Sequence, residues 1–254
     1  MTKVAVITGA ASGIGKRAAE RLLGQGWSVW AFDVSLQALE EFKNAAGGGS
    51  RLHISECDVG SPASVSAAFA KVAAETDSVD ALICSAGVIR IGALEQLTPE
   101  DVDLVMGVNL KGPWLTVREA LPLLRKDANV ADPKRVIIIG SIGGIRPKVG
   151  TGIYAATKAA IHVIAGIYAV ELAPSGITVN VIAPGTIDTP MVKSLAGANP
   201  SSRYKPSGES PLGRIGQPDD VADVIDFFLS DAAKYVNGTV LPIDGGTRAA
   251  FVKT

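Results

Sequence analysis

Short apolar runs alternate with longer stretches of helical period along almost the whole chain. The runs at residues 4–7, 29–33, 52–57, 81–84, 135–140, 178–182 and 240–243 are four to six residues long and are read as strands. Between them, apolar residues recur every three or four positions at 14–24, 36–45, 62–74, 99–108, 113–126, 154–172 and 219–229, which are read as helices. The strands are apolar on both sides rather than alternating, the pattern of strands covered on both faces. A repeated strand-then-helix order with right-handed crossovers produces a parallel sheet between two helical layers. The expectation is an α/β fold: a doubly wound parallel sheet of about seven strands in a three-layer sandwich.

No shift in composition marks a second domain, so residues 1–254 are read as one. Gly47-Gly48-Gly49-Ser50 reads as a turn before the third strand. The long irregular stretch is 191–217, rich in Gly, Pro and Ser; a substrate-binding loop is expected at about 190–215.

Composition narrows the function. Hydrophobic residues make up 47% of the chain, enough for a large core, and the formal net charge is -1, so no basic field draws it to nucleic acid or to a membrane surface. Aromatic residues are only 5%, which argues against a base-stacking platform. No uninterrupted apolar run reaches the ~18 residues of a membrane span. The N-terminus passes from Met1-Thr2-Lys3 into a short strand without the features of a signal peptide, so a cytoplasmic location is expected. Cys57 and Cys84 show no C-x-x-C spacing and read as buried reduced thiols. His53 and His162 lie far apart, and no metal site is expected.

Three local features carry chemistry. Thr8-Gly9-Ala10-Ala11-Ser12-Gly13-Ile14-Gly15 joins the first strand to the first helix, where glycines let the backbone approach a pyrophosphate at the helix N-terminus. A tight structural turn is the alternative. Asp33 follows Gly15 by eighteen residues at the end of the second strand. A carboxylate there accepts hydrogen bonds from an adenosine ribose and repels a 2′-phosphate, which favours NAD over NADP; a helix cap is the competing role. Lys16 and Arg17 are the cations near enough to matter, with a solvated helix surface as their alternative role. Tyr154-Ala-Ala-Thr-Lys158 places Tyr and Lys on one helix face, where an ammonium favours the phenolate of a group that otherwise titrates at about 10. Ser141 ends the fifth strand at the carboxyl edge of the sheet, where such folds bind ligands. Taken without context, a Tyr–Lys pair at this spacing is also a common surface pair.

With these motifs in their order, the chain resembles the short-chain dehydrogenase/reductase family in its single-domain form, with a Rossmann-type sheet. The resemblance runs over nearly the whole chain and rests on Thr8 to Gly15, Asp58-Val59, Ser85-Ala86-Gly87, Asn109, Ser141, Tyr154, Lys158, Pro184-Gly185 and the thirteen-residue spacing from Ser141 to Tyr154. It implies Tyr154 as general acid/base and Ser141 as the group that orients the substrate oxygen. Lys158 would bind the nicotinamide ribose and depress the tyrosine's pKa, and Asn109 would support a water chain to Lys158. Cofactor contacts would come from Gly9, Ser12, Gly13, Ile14, Gly15, Asp33, Asp58, Val59, Ser85, Ala86, Gly87, Tyr154, Lys158, Pro184, Gly185, Ile187 and Thr189. Ser141, Ile142, Gly143, Val149, Tyr154 and Met191 would meet the substrate, with Val192, Leu195 and Tyr204 in the same long loop. One departure is visible: Cys84-Ser85 stands where the family has Asn-Asn.

The implied activity is NAD(H)-dependent interconversion of a secondary alcohol and its ketone, with a small-molecule substrate, a medium-sized and partly apolar alcohol or ketone, as the partner. A ketoacyl-type reductase and a non-catalytic NAD-binding redox sensor are the competing readings. An enoyl reductase would space its tyrosine and lysine more widely. The resemblance also implies a homotetramer, built through the helices at 113–126 and 154–172 and through the C-terminal segment.

Overall fold

The computed structural model describes residues 2–47, 49–196 and 208–249. Tyr204 lies outside the described residues. Seven strands form one parallel sheet: β1 (Val4–Thr8), β2 (Ser28–Asp33), β3 (Leu52–Glu56), β4 (Ala81–Cys84), β5 (Lys134–Ile139), β6 (Ile177–Pro184) and β7 (Val240–Ile243). Their spatial order is β3-β2-β1-β4-β5-β6-β7. The helices are α1 (Gly13–Gly24), α2 (Leu36–Ala45), α3 (Pro62–Glu75), α4 (Pro99–Met106), α5 (Gly112–Arg125), α6 (Gly152–Leu172), α7 (Pro190–Ala196) and α8 (Pro218–Leu229). The expected doubly wound α/β sandwich is the fold observed.

Two-sided burial explains why the strands read as continuous apolar runs. On one face Val6, Phe32, Leu82, Ile138 and Val179 pack with Leu115 and Leu124 of α5 and Ile161 of α6. On the other, Ile7, Ala31, Ile83, Ile137 and Ile182 pack with Leu22 of α1, Phe42 of α2 and Phe228 of α8. Neighbouring residues of each strand thus serve opposite cores.

Two parts differ from the sequence reading. Residues 99–126 do not form two separate helices. A π-helical segment at Gly107–Lys111 joins α4 to α5, and the Gly112 N–H donates to Gly107 O across five residues. Pro113 has no N–H to give and was expected to start a helix; the wider register carries the chain past it. Gly112 also sits against β3's continuation, where a Cβ would lie 2.8 Å from Val59 Cγ2. The second difference is α7, a short helix where the sequence reads as irregular. The Thr189 hydroxyl accepts the Val192 N–H at its start, so a local cap rather than apolar periodicity marks it.

α6 is long and apolar enough to cross a membrane by length and composition, with a mean hydropathy of 1.5 in its most apolar window. Polar residues such as Thr157, Lys158 and His162 interrupt its apolar run. Its apolarity is used here on the sheet: Ala155, Ile161, Ala165, Ala169 and Leu172 are buried.

The order of strands places the site. β2 and β4 both pair with β1, so the connections leave its carboxyl end in opposite directions and open a crevice there. The Thr8 hydroxyl closes the floor of that crevice by accepting the N–H groups of Ser85 (3.2 Å) and Ala86 (3.3 Å).

Candidate active site

A cavity of about 450 Å³ occupies the crevice. Its walls include Gly9, Ser12, Gly13, Ile14, Asp33, Asp58, Val59, Ser85, Ala86, Gly87, Ser141, Tyr154, Lys158, Pro184, Gly185, Ile187, Thr189 and Met191. Residues expected from seven separate stretches of sequence therefore face one space.

The glycine turn is built by close approach. Gly9 has φ +67° and Gly13 φ +52°, backbone conformations that side chains disfavour. A Cβ on Gly9 would lie 2.8 Å from Ala86 N, and one on Gly15 would fall onto Gly9 O. Gly15 does not line the cavity; its bare Cα lets α1 start tight against the turn. The N-cap Ser12 makes no side-chain cap, and the first turn of α1 holds no acidic residue. The helix end thus keeps N–H groups and a positive dipole for an anionic group in the cleft. Gly15→Ala is expected to cost roughly 1–3 kcal/mol of overpacking and to lower Tm by several degrees with a clear loss of NADH affinity. Calorimetry and fluorescence titration measure both; wild-type NADH affinity would show that α1 can retreat without disturbing the turn.

At the β2 end, Asp33 Oδ2 accepts the Ala11 N–H and Oδ1 the Ser35 N–H, each at 3.1 Å. The helix cap of α2 is Ser35, whose hydroxyl accepts the Ala38 N–H, so Asp33 is not that cap. Lys16 and Arg17 point elsewhere: Lys16 Nζ lies 5.4 Å from the centre of the Phe42 ring, and Arg17 pairs with Glu20 and Asp219. Cys57 lines the same end, and burial pushes its thiol up to about 11, so it presents a neutral contact beside Asp58.

At the other end, Lys158 is almost fully buried and its Nζ donates to Ile139 O at 2.8 Å. Burial pulls its pKa down to about 8, with a nearby Cys84 opposing weakly. Nζ lies 5.8 Å from the centre of the Tyr154 ring. Ser141 is brought to the same place by a tight turn: its Oγ accepts the Gly143 N–H at 3.0 Å. A Cβ built on Gly143 would lie 3.2 Å from Ser141 Oγ and 3.6 Å from Tyr154 Cε1, so serine and tyrosine flank one point. Gly87 brings in the third strand end, since a Cβ there would lie 3.8 Å from Lys158 Nζ and 4.0 Å from Met191 Cε.

Four further expected residues lie outside the cavity walls. Asn109 is wholly buried in the π segment; its side chain exchanges 2.8 Å hydrogen bonds with Val88 N–H and C=O and reaches Thr157 Oγ1 at 3.4 Å. Thr157 in turn donates to Tyr154 O, so Asn109 ties the loop after β4 to the start of α6. Ile142 turns inward, Gly143 forms the Ser141 turn, and Val149 is 79% exposed in the loop before α6. Val192, expected in the substrate loop, lines the cavity, which also recruits Val34, Val88, Leu104, Val108, Ile139, Gly140 and Pro190. Leu104 and Val108 are one helical turn apart, a spacing shared with ordinary core positions, so the sequence does not single them out. Ser85, in place of the family's asparagine, keeps its backbone bond to Thr8, and Cys84 is buried.

The cleft gathers the glycine turn, Asp33, Ser141, Tyr154 and Lys158 around one space, and nearly the whole chain is similar to known proteins. The family model described as enoyl-(acyl carrier protein) reductase matches residues 9–248. The chain is 36% identical to the 3-oxoacyl-(acyl-carrier-protein) reductase FabG of Thermotoga maritima, over 96% of this chain and 97% of that protein. It is 34% identical to the 2,5-dichloro-2,5-cyclohexadiene-1,4-diol dehydrogenase LinX of Sphingobium indicum, over 96% and 95%. The crystal structure of levodione reductase matches with a TM-score of 0.88 at 32% identity, covering 98% of both chains. A 3-ketoacyl-(acyl-carrier-protein) reductase from Brucella melitensis, complexed with NADH, matches with a TM-score of 0.85 at 28% identity, covering 96% of this chain and 98% of that one.

The chain belongs to the short-chain dehydrogenase/reductase family and is an oxidoreductase of that family. The family and the NADH-bound neighbour point to a nicotinamide cofactor.

Proposed function

We propose that the protein is an NAD(H)-dependent oxidoreductase that interconverts a secondary alcohol and its ketone, with Tyr154 as the acid/base. The observation that carries this reading is the placement of Ser141, Tyr154 and Lys158 at one end of a cleft whose other end holds Asp33. The shape fits a dinucleotide: bare glycines and an uncapped helix end lie midway, with Asp33 at the ribose end. Gly9, Ser12, Gly13, Ile14, Asp33, Asp58, Val59 and Ser85 to Gly87 would hold the adenosine and phosphates. Pro184, Gly185, Ile187 and Thr189 would hold the nicotinamide end. Bound there, the nicotinamide ring supplies or accepts the hydride.

The chain's own groups handle the proton. Ser141 Oγ orients the substrate oxygen, and the Tyr154 hydroxyl gives it a proton in reduction or takes one in oxidation. Lys158 is still mostly charged at neutral pH, because its lowered pKa of about 8 lies above 7. That ammonium favours the Tyr154 phenolate. The Asn109 side chain is occupied by Val88 and Thr157, so a part in a water chain to Lys158 would not come from that side chain.

Support for NAD comes from Asp33 together with the engagement of Lys16 and Arg17 away from it. That same acidic end weighs against an NADP-dependent ketoacyl reductase, the reading that the FabG relatives favour. The four-residue step from Tyr154 to Lys158 weighs against enoyl reduction. We also infer a cytoplasmic homotetramer. Val163, Ile167 and Val170 are exposed on α6 and Trp114 on α5, and both cysteines are free and buried, which suits a reducing compartment.

The test is NAD⁺ and NADP⁺ reduction across polyols, hydroxy acids, aryl and cyclic secondary alcohols. Turnover with NAD⁺ is expected to climb with pH as Tyr154 loses its proton, then to flatten above about 8, where Lys158 gives up its charge. A flat profile through neutral pH would remove the tyrosine mechanism, and NADP⁺ as the better oxidant would return the ketoacyl reading.

A further inference from the structure

His162 is the titratable group beside the site that the reaction does not use. It stands on α6 four residues after Lys158, against the turn that carries Ser141. A Cβ built on Gly140 would lie 2.7 Å from His162 Nε2 and 3.2 Å from Cδ2; one on Gly144 would lie 2.9 Å from Cε1. The imidazole is lodged between the two glycines that bracket Ser141, and each must lack a side chain to admit it. Gly144 also rests on the helix itself, where its Cβ would lie 2.7 Å from Ala159 N. Both ends of the Ser141 turn are therefore seated on α6, one of them through the ring. His162 Nε2 is the one buried side-chain nitrogen or oxygen without a hydrogen-bond partner among the described residues.

We propose that His162 is a positioning residue: its neutral ring props the turn that carries Ser141, and protonation of the ring displaces that turn and sets the acid limit of catalysis. This rests on the roles given above to Ser141 and Tyr154. Whichever nitrogen carries the first proton, the charged ring has an N–H at Nε2. There it lies against Gly140 and meets no acceptor. A Cβ on Gly140 would also lie 2.7 Å from Val181 Cγ1, so β6 offers the ring an apolar neighbour. The charged group acting on the ring is Lys158, on the same helix, and it repels a second cation; the turn and β6 contribute no carboxylate. Burial first, and Lys158 second, hold the ring's pKa below its usual 6.5. The protonated ring is relieved only by moving out from between the glycines, and Ser141 Oγ loses its alignment with Tyr154 when it does.

Ketone reduction as a function of pH isolates the effect. In that direction Tyr154 must be protonated, so acid does not disable it and a loss at low pH comes from another group. The wild-type kcat/KM is expected to fall at least about fivefold on an acid limb whose midpoint lies below the ordinary histidine value. His162→Gln, neutral and of similar length, is expected to keep the neutral-pH rate within about threefold and to lack that limb. An unchanged limb in the variant, or none in the wild type down to about pH 5, overturns the proposal. A second readout needs neither the variant's fold nor turnover. The chain has two histidines, so ring resonances are resolved by NMR, and the amide signals of Gly140, Gly143 and Gly144 are expected to shift with the His162 midpoint. If the ring titrates and those amides stay still, the proposal fails. If they move while no ketone is reduced at any pH, the propping stands and the oxidoreductase reading is what fails.

Discussion

Tyr154→Phe is expected to cut turnover in both directions by roughly 10²- to 10⁴-fold, the contribution typical of a positioned acid/base. NADH affinity should stay within about threefold, because the change deletes one hydroxyl and leaves the ring to pack. The ring lies 5.8 Å from Lys158 Nζ and close to the Ser141 turn, and phenylalanine fills the same space. Rate and binding should therefore separate cleanly. Ser141 cannot replace the hydroxyl, since a serine holds its proton too tightly to exchange it near neutral pH. Stopped-flow turnover beside an NADH fluorescence titration makes the comparison. Residual activity above about a tenth of wild type would take Tyr154 out of the proton path.

Asp33→Asn is expected to lower kcat/KM with NAD by roughly 10- to 100-fold, the scale of a charge-assisted hydrogen bond at about 1.5–3 kcal/mol. The NAD-to-NADP ratio should fall by at least about tenfold, because the charge that repels a 2′-phosphate is gone. The ratio is the diagnostic quantity. Asp33 also accepts the Ala11 and Ser35 N–H groups, and an amide satisfies one of them while turning an NH₂ toward the other. That local loosening weakens binding of both cofactors alike and cancels in the ratio. Steady-state kinetics with each cofactor at several fixed substrate concentrations measures it. An unchanged ratio would place recognition of the ribose elsewhere in the cleft.

The residues that carry local rules were legible without a structure. Gly9 and Gly13 take positive φ in a turn that only glycine makes easily, so their type announces their conformation. Tyr154 and Lys158 share a helix face because of their spacing, and Asp33 ends a strand because the apolar run stops there. The π segment was not legible: Gly112-Pro113 read as a helix start, while its register depends on the contact between Gly112 and Val59, which is distant in sequence. Leu104 and Val108 escaped for a related reason. They look like core residues and would be so if α4 packed differently, but here they line the cleft. Val149, expected at the substrate, is exposed in the loop before α6 and lies outside the cavity walls.

By itself the sequence determined the alternation of strand and helix and the parallel sheet, and it set Tyr154 and Lys158 on one helix face and Asp33 at a strand end. Each of those follows from periodicity, backbone permissiveness or spacing along a single element, all of them local properties. Tertiary structure alone decided what Asn109 and His162 touch, which cations stay away from Asp33, and that burial pulls the Lys158 pKa down. Burial, close packing and the field of neighbouring charges come from residues that fold to the same place from distant parts of the chain, and no pattern along the chain encodes their distances.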